Sequence, residues 1–236
     1  MLSLSVLDEL QSNGWAKLDF ASSDTHCSDL VTWATSLGLP ISSRCGGSLV
    51  DILRVRSEAE ASPWSLSARF GRGAFPFHTD QAKLRTPPRY IILRCRRLRA
   101  SRRPTLIQDF NSLILSSSEH SILSRAVWIV NGGRGCFLTS ILTKHQISGD
   151  FLLRFDLSCM KPAHSRFAEA ANILGEALSR TNPISIDWYE GLTIVLDNWR
   201  ILHARANNET HHAQSGLNQG EEEREIERVL VLAGNN

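Results

Sequence analysis

The sequence lacks the features that mark several large classes of protein. Its 236 residues contain no run of 18 apolar residues, so no segment predicts a membrane-spanning helix. The five cysteines are odd in number, widely spaced and without a Cys-x-x-Cys pair, which fits neither a disulfide framework nor a zinc site. The opening MLSLSVLDEL carries acids where a secretory signal would carry bases. We therefore expect a cytoplasmic protein with no membrane partner.

The charge is nearly balanced, because the net charge of +2 is too small to predict a polyanionic partner. One stretch is nevertheless rich in arginine, and this leaves binding of nucleic acid or another polyanion open as an alternative. Its bases interrupt an apolar segment, YIILRC, and no stacking aromatic residues alternate with them. A solvated strand face is the favoured interpretation, and we do not expect nucleic acid as a partner. The arginines are Arg85, Arg89, Arg94, Arg96, Arg97, Arg99, Arg102 and Arg103.

Apolar periodicity predicts few helices and many short strands. Helical spacing covers residues 3–12, about 26–37 and 164–180, and Asp109 is a candidate cap for a further helix that runs towards residue 125. Strand-like segments are WAKLDF, SLVDILRVR, RYIILRC, TLIQDF, AVWIV, CFLTS, FLLRFD, ISIDW, LTIVLDN, RILHARA and IERVLVLAG.

The absence of regular βαβ alternation argues against a Rossmann or TIM-type fold. The pattern predicts a mainly β fold with flanking helices, either a sandwich or a jelly roll. We expect one domain over residues 1–236, with the helices and strands of residues 1–70 packed on its core. Residues 207–223 contain almost nothing to bury and are predicted to form a mobile surface loop.

One constellation of residues predicts chemistry. In GAFPFHTDQA, His78 and Asp80 stand two residues apart, so on an extended segment their side chains point to the same side. His203 follows much later, in DNWRILHAR. Two histidines and one carboxylate with open positions form the facial triad of non-haem Fe(II) oxygenases, although zinc could use the same ligands.

Arginines near the end of the chain suggest a site for a carboxylate. In REIERVLVL, Arg224 and Arg228 share one face of a predicted strand. An arginine fork held on a sheet can bind a carboxylate with two hydrogen bonds, and the hydroxyl of Thr105, in RRPTLIQDF, could add a third donor.

The order HTD, PTLIQD, DNWRILHAR and REIERVLV, over about residues 70–234, resembles the Fe(II)- and 2-oxoglutarate-dependent dioxygenases of the TauD/TfdA family. The resemblance is to its clavaminate-synthase-like and butyrobetaine-hydroxylase-like branches. The resemblance implies a double-stranded β-helix (jelly roll), with O2 as a further substrate. It implies that His78, Asp80 and His203 bind iron. It also implies that Arg224 and Thr105 hold the distal carboxylate of 2-oxoglutarate, with Arg228 or Arg205 as alternative anchors.

The resemblance implies hydroxylation of an unactivated C–H bond in a small amino-acid-like or natural-product substrate, with release of succinate and CO2. Desaturation or cyclisation at the same iron site is an alternative, and a metal-binding jelly roll without redox turnover is another. Candidate substrate contacts are Arg72, Phe75, Phe77 and Arg205, with Arg228 able to meet an anionic substrate group. The sequence predicts no oligomeric state.

Overall fold

Strands outnumber helices in the computed structural model, which describes residues 2–18, 27–61, 65–98, 103–132, 135–206 and 224–234. The helices are α1 (Leu4–Asn13), α2 (Cys27–Thr35), α3 (Leu66–Phe70), α4 (Ser117–Arg125) and α5 (Glu169–Ser179). The strands are β1 (Trp15–Leu18), β2 (Gly38–Ile41), β3 (Val50–Arg54), β4 (Phe75–His78), β5 (Tyr90–Arg97), β6 (Thr105–Asp109), β7 (Trp128–Asn131), β8 (Cys136–Thr139), β9 (Leu142–Lys144), β10 (Phe151–Leu153), β11 (Met160–Pro162), β12 (Ile184–Ile186), β13 (Thr193–Asp197), β14 (Ile201–Arg205) and β15 (Glu225–Ala233). The loop predicted at 207–223 lies outside the described residues.

Two antiparallel sheets form the centre of the fold. The larger sheet has the order β1-β13-β5-β15-β2, and β3 also pairs with β15. The smaller sheet has the order β12-β6-β14-β4. Strands that are far apart in sequence are therefore neighbours in space, and β15, near the end of the chain, lies inside the larger sheet.

The space between the two sheets holds the main core. Side chains from both sheets meet there, including Ile91 and Leu93 of β5 and Ile107 of β6. On the opposite face of the larger sheet, Ile92 of β5 packs with Leu30 of α2. Both faces of β5 are thus covered, which explains why this strand reads as a continuous apolar run rather than as an alternating one.

A further apolar cluster joins α4 and α5 to the smaller strands. Leu123 of α4, Leu174 of α5, Trp128 of β7 and Leu153 of β10 are fully or almost fully buried in it. The sheet β11-β7-β8 and the pair β9-β10 form this part of the molecule. The helices therefore flank a mainly β structure, as the sequence predicts.

The cap predicted at Asp109 is wrong for the long helix. Asp109 caps only a 3₁₀ turn, Phe110–Ser112, by accepting a hydrogen bond of 2.9 Å from the Asn111 amide. The helix that runs to Arg125 starts later, where the Ser116 hydroxyl and the Glu119 carboxylate form a reciprocal capping box. The local Ser-x-x-Glu pattern is the stronger helix start.

The first 70 residues contribute strands as well as helices. The strands β1, β2 and β3 pair with β13 and β15 and so belong to the larger sheet itself. None of the helices in the described part of the chain is long and apolar enough to cross a membrane. Among the described cysteines, Cys45, Cys95, Cys136 and Cys159 are free thiols.

Candidate metal centre

His78 and Asp80 leave the end of β4 through a turn that other segments hold in place. Thr79, between them, is fully buried and exchanges two hydrogen bonds with Phe155 through its amide and its hydroxyl. The buried side chain of Asn198 accepts a bond of 2.7 Å from the Asp80 amide and donates one of 3.0 Å to the Asp80 carbonyl. The backbone around the carboxylate is therefore fixed from both sides.

His203 joins this pair because of strand register. It lies on β14, and His78 is its direct partner across the β4–β14 ladder. The two ring centroids are 4.3 Å apart, and His203 Nε2 lies 3.9 Å from Asp80 Oδ1. One ligand atom from each of His78, Asp80 and His203 lies within 4.8 Å of the others. The structure thus brings together the three predicted residues as one compact cluster.

The hydrogen bonds of the two histidines suit metal binding. His78 Nδ1 lies 3.0 Å from the Pro76 carbonyl oxygen, which can only accept, so Nδ1 carries the proton and Nε2 keeps its lone pair. His203 Nδ1 is buried and makes no hydrogen bond with any described residue. His203 Nε2, which lies 3.9 Å from Asp80 Oδ1, is the ring nitrogen that faces the cluster. The donor set fits a divalent transition metal.

The charges around the cluster keep its side chains in the forms that bind a cation. Burial alone would raise the pKa of Asp80, but the positive charge of Arg228 and the neighbouring histidines outweigh it and lower the pKa to about 2. Burial, together with His78 and Arg228, lowers the pKa of His203 to about 3, although Asp80 opposes this shift. At neutral pH the cluster offers an ionised carboxylate and an uncharged His203 imidazole.

His78, Asp80 and His203 line a cavity with a volume of about 580 Å³, and a second group of polar side chains, Thr105, Trp188 and Arg224, lines it as well. The Thr105 hydroxyl oxygen accepts a bond of 2.9 Å from Trp188 Nε1 and one of 3.3 Å from Arg224 Nη2. The Arg224 guanidinium also lies 5.5 Å from the centroid of the Trp188 ring. Arg224 and Thr105, which are distant in sequence, are therefore adjacent beside the three-residue cluster, and Trp188 positions both.

Arg228 contacts the cluster of His78, Asp80 and His203 directly. Its Nη1 lies 2.9 Å from Asp80 Oδ2, and its Nη2 lies 2.9 Å from Asp51 Oδ2. Asp51 is the direct partner of Arg228 across the β3–β15 ladder, and the Ser43 hydroxyl donates to its other oxygen at 2.9 Å. Arg228 thus fixes one oxygen of the Asp80 carboxylate.

Solved structures of iron oxygenases share this architecture. An asparagine oxygenase in complex with Fe(II), 2S,3S-3-hydroxyasparagine and succinate has a TM-score of 0.71 at 19% identity, over 97% of this chain and 78% of that one. A taurine dioxygenase from Burkholderia xenovorans has a TM-score of 0.69 at 16% identity, over 100% and 83%. The non-heme iron oxygenase OrfP, in complex with Fe, succinate and (3S)-hydroxy-L-arginine, has a TM-score of 0.67 at 15% identity, over 98% and 82%.

No protein-family profile and no curated protein matches the sequence. The structural likeness decides the fold. The chain has the double-stranded β-helix fold of these iron oxygenases. The predicted jelly roll is confirmed, and the resemblance stated from the sequence is confirmed at the level of this fold.

Within this oxygenase fold, the predicted substrate contacts take different positions. Phe75 lines the same cavity as the three candidate metal ligands. Phe77 instead packs against the apolar cluster of α4 and α5. Arg205 also lines the cavity, and its guanidinium stacks 3.7 Å from the Phe75 ring centroid while donating to the carbonyls of Gly71 and Gly73. Arg72 forms an ion pair of 3.8 Å with Glu60 and is not among the described residues that line the cavity.

The arginine-rich stretch does not form one solvated face of the oxygenase fold. Arg94 is buried and forms an ion pair of 2.6 Å with Glu227, so the interpretation of a solvated strand face is wrong for this residue. Arg89 forms an ion pair of 2.7 Å with Asp150, and Arg96 lies 3.8 Å from Glu225. Arg99 and Arg102 lie outside the described residues. Among the described members, much of the positive charge is already neutralised within the chain.

Two residues that shape the candidate site were not predicted from the sequence. Asp51 stands in an ordinary strand segment, and only its pairing with β15 reveals that it holds Arg228. The indole N–H of Trp188 donates to the Thr105 hydroxyl. Neither position has a local signal, because each contact joins strands or loops that are distant in sequence.

Proposed function

We propose that this chain is an Fe(II)- and 2-oxoglutarate-dependent oxygenase that hydroxylates a C–H bond of a small substrate and releases succinate and CO2. The observation that carries the proposal is the placement of two groups in one cavity. The cluster of His78, Asp80 and His203 supplies metal ligands, and the adjacent Arg224 and Thr105 supply donors for a carboxylate.

Each residue has a role that its surroundings support. His78, Asp80 and His203 would hold Fe(II), and Arg224 with Thr105 would hold the distal carboxylate of 2-oxoglutarate. When bound, the iron supplies the oxidative chemistry with O2 and 2-oxoglutarate, while the protein orients the reactants and limits access of water. Arg228 would hold the second oxygen of Asp80, and so favour one orientation of that ligand over others. This position favours Arg224 over Arg228 as the anchor for 2-oxoglutarate.

An amino-acid-like or natural-product substrate is the substrate class that we propose. Two structures with the same fold hold hydroxylated amino acids, hydroxyasparagine in one and hydroxy-L-arginine in the other. The cavity volume of about 580 Å³ is in the range of small-molecule sites. Desaturation or cyclisation would use the same residues and is separated from hydroxylation only by analysis of the product. A cytoplasmic location stays a prediction.

An anaerobic titration of the metal-free protein with Fe(II) and 2-oxoglutarate tests the proposal. A chelate of 2-oxoglutarate on iron gives a weak visible charge-transfer band, which we expect in the wild-type protein. We expect His203→Ala to abolish the band and Arg224→Ala to require at least tenfold more 2-oxoglutarate. Arg54→Ala is the matched control, because Arg54 lines the same cavity but pairs with Glu225 at its exposed edge.

The outcomes separate the candidate functions. Iron binding without the band would favour a metal-binding jelly roll without redox turnover. Release of succinate that depends on a substrate, together with an oxidised product, would establish the oxygenase. Retention on heparin or DNA that is unchanged in His203→Ala, without iron binding, would favour the polyanion alternative.

A further inference from the structure

The cavity that His78, Asp80 and His203 line has more basic than acidic side chains around it. Among the described residues that line it, the acidic ones are Asp80 and Asp156. The basic ones are Arg44, Arg54, Arg56, Lys83, Arg205, Arg224 and Arg228. An excess of one charge in a cleft raises the local concentration of small molecules of the opposite charge.

Several of these cations already have defined contacts. Arg54 lies 2.8 Å from Glu225, and Arg228 bridges Asp51 and Asp80. Arg205 donates to backbone carbonyls beside Phe75, and Arg224 contacts Thr105. These side chains hold the walls of the cavity, so the arginines that the sequence suggested as substrate contacts have structural contacts of their own.

Three cations in the same cavity differ from these. Arg44, in the loop between β2 and β3, Arg56, just after β3, and Lys83, just after the Asp80 turn, form no salt bridge with any described residue. The positive charge of Arg56 also lowers the pKa of the Glu60 carboxyl, but it does so less than the charge of Arg72. Arg44 and Arg56 are exposed, and Lys83 is half-buried. All three can therefore meet a ligand that enters the cavity.

The proposed cofactors do not neutralise these cations. Fe(II) and the 2-oxoglutarate dianion cancel each other. Among the described residues, Glu225 neutralises Arg54, Asp51 neutralises Arg228, and the two negative charges of Asp80 and Asp156 equal the two positive charges of Arg205 and Arg224. The excess from Arg44, Arg56 and Lys83 then remains for the substrate. A neutral zwitterionic amino acid would leave it uncompensated, whereas a substrate with an additional acidic group would not.

We propose that the substrate carries a net negative charge, because it has an acidic group (a carboxylate, sulfonate or phosphate) in addition to the groups of a neutral zwitterion, and that Arg44, Arg56 and Lys83 bind this group. The inference rests on the proposed function, since the iron and 2-oxoglutarate define which charges remain. It narrows the substrate class from small amino-acid-like molecules to acidic ones. The three residues are specificity residues, and they need not touch the carbon that is oxidised.

The test uses probes that differ by charge but hardly by shape. L-aspartate and L-asparagine form one pair, L-glutamate and L-glutamine a second, and O-phospho-L-serine and L-serine a third. Calorimetry on the anaerobic protein with Fe(II) and saturating 2-oxoglutarate gives the Kd of each probe, and the visible band shows whether a probe displaces 2-oxoglutarate. We expect at least one acid to bind about tenfold or more tightly than its neutral partner, without loss of the band.

Two triple variants decide whether the named residues cause that preference. Arg44→Gln, Arg56→Gln and Lys83→Gln together should reduce the preference for the acid to about twofold or less. Arg97→Gln, Arg125→Gln and Lys161→Gln remove the same total charge at exposed positions outside the cavity and should leave the preference within about twofold of its wild-type value.

The proposal is overturned if no acid binds more tightly than its neutral partner, or if both triple variants lose the preference equally. Equal loss would show a general charge effect of the protein surface. The proposed function is judged separately, because the band should form in the wild type and in both triple variants. If no band forms in any of them, the oxygenase function fails, whereas a band without preference for acids defeats only the substrate inference.

Discussion

The hydroxyl of Thr105 offers a quantitative test of how the carboxylate site is built. Thr105, Trp188 and Arg224 are all at least nine-tenths buried, and the Thr105 oxygen accepts from both of the other side chains. Thr105→Val keeps the shape of the side chain but removes this acceptor. Loss of a buried hydrogen-bond partner costs about 1–3 kcal/mol. With a urea m value of about 2 kcal/mol/M, the unfolding midpoint should fall by roughly 0.5–1.5 M.

A double-mutant cycle isolates the bond between Thr105 and Trp188. Trp188→Phe removes the indole donor, so Thr105→Val should cost about 1 kcal/mol less in that background than in the wild type. Circular dichroism should follow unfolding, because Trp188 fluorescence is itself changed. Thr139→Val on β8 is the matched control, since its hydroxyl contacts the Ser140 carbonyl and not Trp188. A coupling below about 0.5 kcal/mol between Thr105 and Trp188 would refute the argument.

The other predictions concern stability and need the same urea measurements. Glu227→Leu should lower the free energy of unfolding by about 3–5 kcal/mol, because it leaves the Arg94 charge buried without its carboxylate. Arg54→Gln, at a side chain that is 57% exposed, should lower it by less than about 1 kcal/mol. Equal losses in the two variants would contradict this reasoning. The free energy of unfolding of the metal-free protein should fall by about 2 kcal/mol from pH 7.5 to pH 5, because histidine in the unfolded chain takes up a proton near pH 6.5 while the pKa of His203 in the folded protein is about 3. An equally steep fall in His203→Gln would show that other groups cause the pH dependence. Ser116→Ala should cost about 1 kcal/mol through loss of the α4 cap, and a cost no larger than that of Ser117→Ala would count against the capping box.

Much of the fold was predictable because its determinants are local. The helices around 3–12, 26–37 and 164–180 and the strands β5, β6, β13, β14 and β15 follow from periodicity within single segments. The short strands β2, β9 and β11 were not predicted. They span three or four residues, and such a segment is too short for its own pattern to distinguish a strand from a loop.

The three candidate metal ligands could be nominated from the sequence for a different reason. His78 and Asp80 are close in sequence, and the order of motifs with His203 resembles a known family, so no tertiary information was needed to nominate them. The partners of these residues required the structure. Asn198 fixes the Asp80 backbone and Asp51 holds Arg228, but neither has a pattern around it that distinguishes it from an ordinary polar residue.

The sequence by itself indicated most of the longer strands, the three residues proposed as metal ligands, and Arg224 and Thr105 as candidates for a carboxylate site. The tertiary structure decided how these groups pair. The register of β4 with β14 sets His78 opposite His203, and the register of β3 with β15 sets Asp51 opposite Arg228. Strand register depends on the packing of residues that are more than a hundred positions apart, and a single-residue slip would turn each side chain to the opposite face. The sequence therefore suggests the chemistry of the site, and the pairing of its strands places Arg228 between Asp51 and Asp80.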